Sequence, residues 1–205
     1  LPMKLHASDD LKDRVLPKMA SGEWLGAFCL SEPDAGSDPG AMRTRATKVD
    51  GGWQLNGAKN WITNAGVADV YVTFAVTDPD VKYSRGITAF AVMADSPGFR
   101  IDALEHKMGM KGSPTGQPVY EDVFVPDENV IGEVGKGFIV AMSTLDRSRL
   151  GIAAQAVGIA QGATDYAAAY AKERIAFGKP INTLQGIQFK LADMETKTAA
   201  ARELL

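Results

Sequence analysis

Thiols and imidazoles are almost missing from this sequence: Cys29, His6 and His106 are all it has. One cysteine cannot close an internal disulfide, and three such residues scattered along the chain do not make a Cys/His metal set, so no metal site is expected. The compartment expected from that usage is reducing. A surplus of positive charge is absent too. With 22 basic and 25 acidic residues, a formal net charge of -3 and a pI near 5.4, the chain has no cationic excess to neutralise a phosphate polymer, which argues against nucleic acid as a partner. A few local cations still suffice for a nucleotide. Nor is there a long apolar run. The longest stretches resemble Ile87 to Ala94, well short of the roughly 20 residues that span a bilayer. The N-terminus lacks the basic-then-apolar layout of a secretion signal. The expected location is cytoplasmic, or the mitochondrial matrix for a processed eukaryotic protein.

What is present is an ordinary globular composition, 45% apolar over 205 residues, enough for one large domain or two small ones around a packed core. Residues 1 to 22 carry little pattern: a charged stretch around Ser8 to Arg14 suits a helix surface, with Pro17 and Gly22 interrupting it. From Glu23 to about Gly135 the signals are those of strands. Trp24 to Leu30, Thr44 to Val49, Trp53 to Leu55, Val70 to Val76, Ile87 to Met93 and Val119 to Val125 are rich in β-branched and aromatic residues and are separated by Gly, Pro, Asn and Asp. Asp50-Gly51-Gly52 reads as a hairpin turn, because glycine supplies the positive φ that tight turns demand. An antiparallel barrel or sandwich is expected. Gly132, Gly135 and Gly137 fail the spacing of both nucleotide-loop patterns and read as a flexible linker.

After Gly137 the period becomes helical. Phe138, Met142, Leu145, Ile152 and Ile159 recur at helical spacing, and the segment continues alanine-rich to about Ala176, where Gly178 and Pro180 end it. Gly151, Gly158 and Gly162 each cost about 1 kcal/mol relative to alanine inside a helix, which predicts a close neighbour there, either a helix or a ligand. A second helix begins near Thr183, with Asn182 or Thr183 as its N-cap, and presents Ile187, Leu191, Met194, Thr198, Ala201 and Leu205 on one face. The fold class expected is α+β: a β-barrel or sandwich domain over residues 23–135, then a long helical hairpin over 136–205 belonging to an incomplete four-helix bundle. The sequence stops at Leu205 in helical register with apolar residues in the last turn. Either other chains complete the bundle or this is a piece of a longer polypeptide, and the second is the expectation adopted.

Two loops carry the chemistry. Phe28 to Ser37, FCLSEPDAGS, runs from an apolar strand into a turn rich in Pro, Gly, Ser and acid, and Trp61-Ile62-Thr63 follows within thirty-odd positions. A flavin needs apolar walls, hydrogen-bond partners for its pyrimidine edge and a donor near N5, where negative charge develops on reduction. Leu30 and Trp61 can supply walls, while Ser31, Ser37, Thr63 and the N–H groups of a turn freed by Gly36 can supply donors. The plain alternative is a loop between strands and a strand with a core tryptophan. On the first long helix Asp146 and Arg149 share a face, and spacing alone reads as an intrahelical ion pair. Neither His6 nor His106 sits in a context that marks the base of a Ser-His-acid hydrolase.

In combination, Cys29-Leu30-Ser31-Glu32, two positions, Ala35-Gly36-Ser37-Asp38 resembles the signature of the acyl-CoA dehydrogenase family. NGAKNWITNA (56–65), RGITAF (85–90), KMGMKGSPT (107–115) and EDVFVP (121–126) look like family segments in family order, so the resemblance covers about 23 to 205. It implies FAD as cofactor and acyl-CoA as substrate. It also implies an electron-transfer flavoprotein as acceptor and a homo-oligomer, a tetramer in the family. Residues 1–22 then read as the remnant of an N-terminal helical domain, 23–135 as the flavin- and acyl-CoA-binding domain and 136–205 as the start of the C-terminal helical domain. The site residues implied are Phe28, Cys29, Leu30, Ser31, Gly36, Ser37, Trp61, Ile62 and Thr63 around the flavin. Ser37 also faces the substrate, Ser84 and Arg85 meet the CoA portion, and Asp146 and Arg149 reach its pantetheine and adenosine parts. Glu173 to Pro180, followed by Gln185, resembles the turn that crosses to a partner subunit, where Arg174, Phe177 and Gln185 hold that subunit's FAD; its plain alternative is a helix end with a compensating cation and a core aromatic.

The implied reaction is α,β-dehydrogenation of an acyl-CoA thioester to the trans-2-enoyl-CoA, with a carboxylate as general base for the α proton. Relatives that carry this base on the first long helix have it just before the arginine matching Arg149, but here that position is Ser148. The resemblance therefore implies a glutamate beyond Leu205 and a short- or medium-chain substrate, with no catalytic residue assigned in this chain. Rivals on the same resemblance are a non-catalytic structural subunit and an acyl-CoA oxidase or flavin monooxygenase relative. The 205 residues alone are expected to show no acyl-CoA dehydrogenase activity and to hold FAD weakly; turnover of acyl-CoA by the isolated chain contradicts this.

Overall fold

The alternation of β-branched and aromatic residues with turn formers over the first two thirds of the chain yields a sheet, and the alanine-rich remainder yields two helices. The computed structural model describes every residue except Lys82, and every side chain except those of Lys82, Tyr83 and Ser84. The chain divides into two compact units, Leu1–Thr144 and Leu145–Leu205.

The first unit opens with two helices, α1 (Pro2–His6) and α2 (Asp9–Ser21). Ser8 caps α2 by accepting the Leu11 N–H (3.3 Å), Asp9 and Asp10 occupy its first turn, and Gly22 at φ 79° ends it. The helix runs through Pro17 rather than stopping there, because Leu11 and Val15, both fully buried, hold its apolar face in place.

Among the described residues nine strands follow in one sheet: β1 (Gly26–Cys29), β2 (Arg45–Val49), β3 (Gly52–Ala58), β4 (Ile62–Thr63), β5 (Val70–Val76), β6 (Ile87–Met93), β7 (Phe99–Leu104), β8 (Thr115–Pro126) and β9 (Val130–Ile131). The main path is β4-β8-β3-β2-β5-β6-β9, with β1 added on β5 and β7 on β8. The turn at Asp50-Gly51 joins β2 to β3, where Val49 pairs with Gly52 as the sequence suggests. The sheet is mixed rather than purely antiparallel, since β1 pairs with Val70 to Thr73 of β5 in parallel and Arg45 of β2 pairs in parallel with Val76. β1 and β2 thus lie along the same edge of β5, and the chain between them leaves that edge and returns to it. β7 and β9 lie outside the expected strands, since β9 is only two residues long and β7 interleaves Arg100 and Asp102 with its apolar positions; β4 matches the strand of the plain alternative, but its tryptophan is exposed rather than in the core.

The core gathers Leu55, Tyr71, Phe90, Val92, Tyr120, Val123 and Val125, with Phe99 wedged between Tyr71 (4.6 Å between ring centroids) and Tyr120 (5.2 Å). Burying each such large side chain is worth about 1.5–3 kcal/mol. The segment expected to be a flexible linker is instead packed. Gly132 and Gly135 adopt φ 78°, and a Cβ on Gly137 would lie 2.6 Å from the Thr88 carbonyl carbon and 2.7 Å from the Ala89 nitrogen. Glycine is there because α3 (Gly137–Glu173) starts in contact with β6 backbone.

The second unit contains α3 from Leu145 onward, a two-stranded hairpin of β10 (Ile175–Ala176) and β11 (Lys179–Pro180), and α4 (Gln185–Leu204). At 37 residues α3 is about 55 Å long at ~1.5 Å per residue. Arg202 of α4 donates to Gln161 of α3 (3.0 Å). Neither Asn182 nor Thr183 caps α4. They form a 3-10 turn in which the Thr183 hydroxyl donates to the Pro180 carbonyl (2.7 Å), so Leu184 is the cap residue and makes no side-chain bond. Among the described residues, Gly151, Gly158 and Gly162 have nothing within reach of an added Cβ.

Gly137→Ala is expected to lower stability by about 1–3 kcal/mol through backbone overpacking, whereas Gly151→Ala in the 205-residue chain is expected to gain up to about 1 kcal/mol. Thermal unfolding of the two variants checks both; a neutral Gly137→Ala contradicts the packed junction.

Candidate functional site

β1 ends at Cys29, and the chain turns at once. Glu32 and Ala35 exchange backbone hydrogen bonds (3.0 and 3.2 Å) around Pro33 and Asp34, a four-residue turn of the kind proline at its second position favours. Asp38 then accepts from Gly40 N–H (3.2 Å) and starts a short 3-10 turn, Pro39–Ala41. The excursion closes on the side chain that opened it: Glu32 accepts from the backbone N–H of Arg43 through Oε2 (2.5 Å) and of Thr44 through Oε1 (3.0 Å). One carboxylate therefore pins both ends of the loop that carries Gly36 and Ser37.

The second segment begins where β3 ends. Lys59 N–H donates to the Pro118 carbonyl (2.8 Å), and Asn60 N–H donates to the Ser31 carbonyl (2.9 Å). That last bond puts the two loops side by side, with Trp61 one residue beyond it. Gly57 makes the approach possible: its φ is 145° and a Cβ there would sit 2.7 Å from Thr44 Cα. Trp61 has φ 59° and Asn64 φ 66°, both in the left-handed region that non-glycine residues seldom enter. Neighbours compel this. Asn60 Oδ1 accepts the Trp61 N–H (2.9 Å), Asn64 N–H donates to Pro114 (2.9 Å), and Asn64 Nδ2 donates to Gly26 (3.0 Å). The outcome is a tryptophan 63% exposed, held outward beside Ser31.

Between the loops lies a buried ion pair that sequence reasoning passed over. Lys59 Nζ stands 2.8 Å from Glu32 Oε1 and 3.3 Å from the Leu30 carbonyl, and the two side chains are 0% and 6% exposed. Burial pushes the Lys59 ammonium below the ordinary lysine value, against the pull of Glu32. Burial would raise the Glu32 carboxyl, but Lys59 and the N–H groups of Arg43 and Thr44 outweigh it and hold the carboxyl below its ordinary range. In the sequence Glu32 lies within Phe28 to Ser37 and Lys59 within NGAKNWITNA (56–65), and nothing there marks either charge as buried.

The expected flavin residues divide by orientation. Ser31 is half-buried, while Gly36, Ser37, Trp61 and Thr63 are exposed. Among the described residues none bonds the hydroxyls of Ser31, Ser37 or Thr63. Leu30 and Ile62 are buried, and Phe28 packs edge-on against Phe74 with centroids 5.1 Å apart. Cys29 points into the core, where burial pushes its thiol up to about 12 despite Tyr120, Lys59 and Thr73; what it can offer a ligand is backbone. Arg85 is exposed, and Ser84 lies outside the described side chains.

In the second unit, Arg149 donates to Asp146 (2.9 Å), both about 70% exposed, so the intrahelical pair is real and of small energetic weight. The Ser148 hydroxyl donates to the Leu145 carbonyl of its own helix (3.2 Å). Phe177 (φ 53°) and Gly178 (φ 75°) form the two-residue turn of the β10–β11 hairpin, with both φ values positive as such turns require. Phe177 is 90% exposed, which removes the alternative of a core aromatic within this chain. Arg174 and Gln185 flank it, also exposed. Elsewhere His6 Nε2 meets Ser143 Oγ (2.7 Å), and that hydroxyl also bonds the Val140 carbonyl of its own helix (3.1 Å). Among the described residues no group of acids, cysteines and histidines can hold a metal ion, and no helix is long and apolar enough to cross a membrane.

The family model for the acyl-CoA dehydrogenase middle domain matches residues 27–123, and that for the acyl-CoA dehydrogenase C-terminal domain matches 135–205. An acyl-CoA dehydrogenase of Bacillus subtilis is 48% identical over 204 residues, 100% of this chain and 54% of that protein. The structure of butyryl-CoA dehydrogenase from Megasphaera elsdenii superposes with a TM-score of 0.94 at 48% identity, over 99% of this chain and 53% of that one. A glutaryl-CoA dehydrogenase from Mycobacterium smegmatis in complex with FADH2 gives 0.89 at 35% identity, over 98% and 50%. The chain spans about half the length of the curated relatives it matches.

Glu32→Gln or Lys59→Met is expected to cost about 3–5 kcal/mol, since each strands a buried charge, and the double variant is expected to lose less than the sum. Because the folded Glu32 carboxyl lies below its ordinary 4.5, its contribution is complete above that pH and lost as the pH falls through the folded value. Urea unfolding should therefore show the gap between wild type and Glu32→Gln narrowing in acid; a constant gap contradicts the charge pairing.

Proposed function

The chain belongs to the acyl-CoA dehydrogenase family, and on that premise we propose that it holds FAD between its two joined loops and forms the flavin- and thioester-facing part of an enzyme that dehydrogenates a short- or medium-chain acyl-CoA to the trans-2-enoyl-CoA. The observation that carries this reading is the bond from Asn60 N–H to the Ser31 carbonyl (2.9 Å). It gathers at one place an outward tryptophan and the Ser31 hydroxyl, which has no bond among the described residues, with Thr63 two residues beyond the tryptophan, a set of apolar face and polar donors that suits a flat heteroaromatic ring with a polar edge. The names of the relatives support the same substrate and cofactor classes.

Bound FAD supplies the two-electron oxidant that takes up the β hydrogen. The chain's own residues bind and orient: Trp61 walls the ring, Ser31 and Thr63 donate to its polar atoms, and Ser37 turns toward the thioester from the loop that Glu32 closes. By the family resemblance, Arg149 offers directed donors to the CoA phosphates, and the CoA portion is also the expectation for Ser84 and Arg85. Arg174, Phe177 and Gln185 serve the FAD of a second subunit; an exposed aromatic on a rigid turn beside a cation suits stacking and a diphosphate. The assembly is then a homo-oligomer, with electron-transfer flavoprotein as acceptor.

The base belongs outside these residues. Ser148 spends its hydroxyl on its own helix, Asp146 is tied to Arg149, and Glu32 has its oxygens filled by Lys59 and two N–H groups. A carboxylate with a raised pKa, delivered by a further segment, completes the site.

Anaerobic titration of the holoenzyme with butyryl-, octanoyl- and palmitoyl-CoA tests the proposal. Bleaching of the flavin is expected, fastest with one of the two shorter thioesters. No bleaching with any of them overturns the dehydrogenase reading, and rapid peroxide formation on admitting oxygen assigns an oxidase instead.

A further inference from the structure

Among the described residues, Glu32 and Lys59 form the one ion pair with both side chains buried; every other pair is at least partly exposed on both sides. A buried pair is a poor way to stabilise a domain, because apolar residues of similar volume usually do as well or better. The core beside it is built from apolar and aromatic side chains. The pair's location suggests another purpose. It stands at the junction of the two loops and is wired to each by backbone as well as by charge.

Three connections converge there. Glu32 pins Arg43 and Thr44, so the stretch bearing Ser37 returns to its own base. Lys59 reaches across to Glu32 and to the carbonyl of Leu30, the residue before Ser31. The next residue, Asn60, binds Ser31 through its N–H and holds the left-handed Trp61 through its side chain. A left-handed backbone at a bulky residue persists only where its surroundings over-determine it, and such outliers cluster at functional sites.

We propose that the Glu32–Lys59 pair is the positioning element of the flavin site: it makes the Ser31–Thr44 loop and the Lys59–Asn64 segment a single rigid body, so that the hydroxyls of Ser31 and Thr63 and the face of Trp61 keep one spacing. This rests on the FAD reading given above. Neither residue touches the reacting atoms; each acts through the loop it holds. Without the pair the two segments keep the Asn60–Ser31 bond and the contact of Thr44 with Ala58 and Gly57, but lose the charged link between Leu30–Glu32 and Lys59, and an isoalloxazine between them is free to settle in more than one pose.

The test compares the wild-type holoenzyme with Glu32→Gln, Lys59→Met and the double variant, reading thermal unfolding, FAD dissociation constant, the vibronic structure of the flavin visible band, and kcat and KM separately. The double variant, which buries no charge, is expected to recover most of the thermal stability lost by the single ones. Its FAD affinity stays at least tenfold weaker than wild type, its flavin band is blurred, and kcat falls more than KM changes. If affinity and band shape return with stability, the pair is scaffolding only and the inference is overturned. The same holds if a single variant folds with wild-type flavin properties, or if a double variant fails to unfold at a higher temperature than the singles. A wild-type protein that binds no FAD overturns the functional reading itself, a result distinct from all of these.

Discussion

A lysine with no exposed surface, paired to a nearly buried glutamate, is the constraint on which the site geometry depends. Desolvating two charges is expensive, and the expense is recovered only when each charge finds several well-placed partners. Glu32 finds two backbone N–H groups and an ammonium; Lys59 finds a carboxylate and a carbonyl. These partners belong to the start and the end of one loop and to the strand end of another. Satisfying the charges therefore fixes the loops. The sheet prepares the meeting: β1 and β2 share an edge of β5, so the chain between them has to leave and return on the same side, and Gly57 lets Thr44 come within backbone distance of β3.

A second theme is the large aromatic held outward on a left-handed residue. Trp61 and Phe177 both do this, in different units, at φ 59° and 53°. Placing a bulky side chain there costs backbone energy of order 1–3 kcal/mol, and leaving it exposed forgoes the burial that would offset it. In each case the neighbouring bonds enforce the geometry: Asn60 and Asn64 around Trp61, and the β10–β11 pairing around Phe177. Both positions are ones where the family resemblance implies a flavin, and in both the local structure gives a face and leaves it open.

Much of this was legible in the sequence because it is local. β5 and β6 have the bounds that β-branched periodicity suggests, the Asp50-Gly51 turn is where glycine chemistry puts it, and α3 starts at Gly137 as its period suggests and ends at Glu173, just short of Ala176. The short strand β9 was not legible, since two residues carry no period. Parallel pairing of β1 with β5 is a matter of long-range topology. The packed turn at Gly132 to Gly137 looked flexible because glycine signals both freedom and close approach, and only the neighbouring backbone of Thr88 tells them apart. Within the candidate site, the residues proposed to face a ligand were chosen by chemical type and motif. Glu32 and Lys59 were missed because nothing in one sequence shows that two charges 27 positions apart are buried against each other.

The most direct measurement is a crystal structure of the protein with FAD. The expected result is an isoalloxazine lying against Trp61, with the Ser31 and Thr63 hydroxyls at hydrogen-bond distance from its polar atoms and the Glu32–Lys59 pair intact behind it. An isoalloxazine bound away from these two loops, or a pair pulled apart when the flavin is in place, contradicts the central claim.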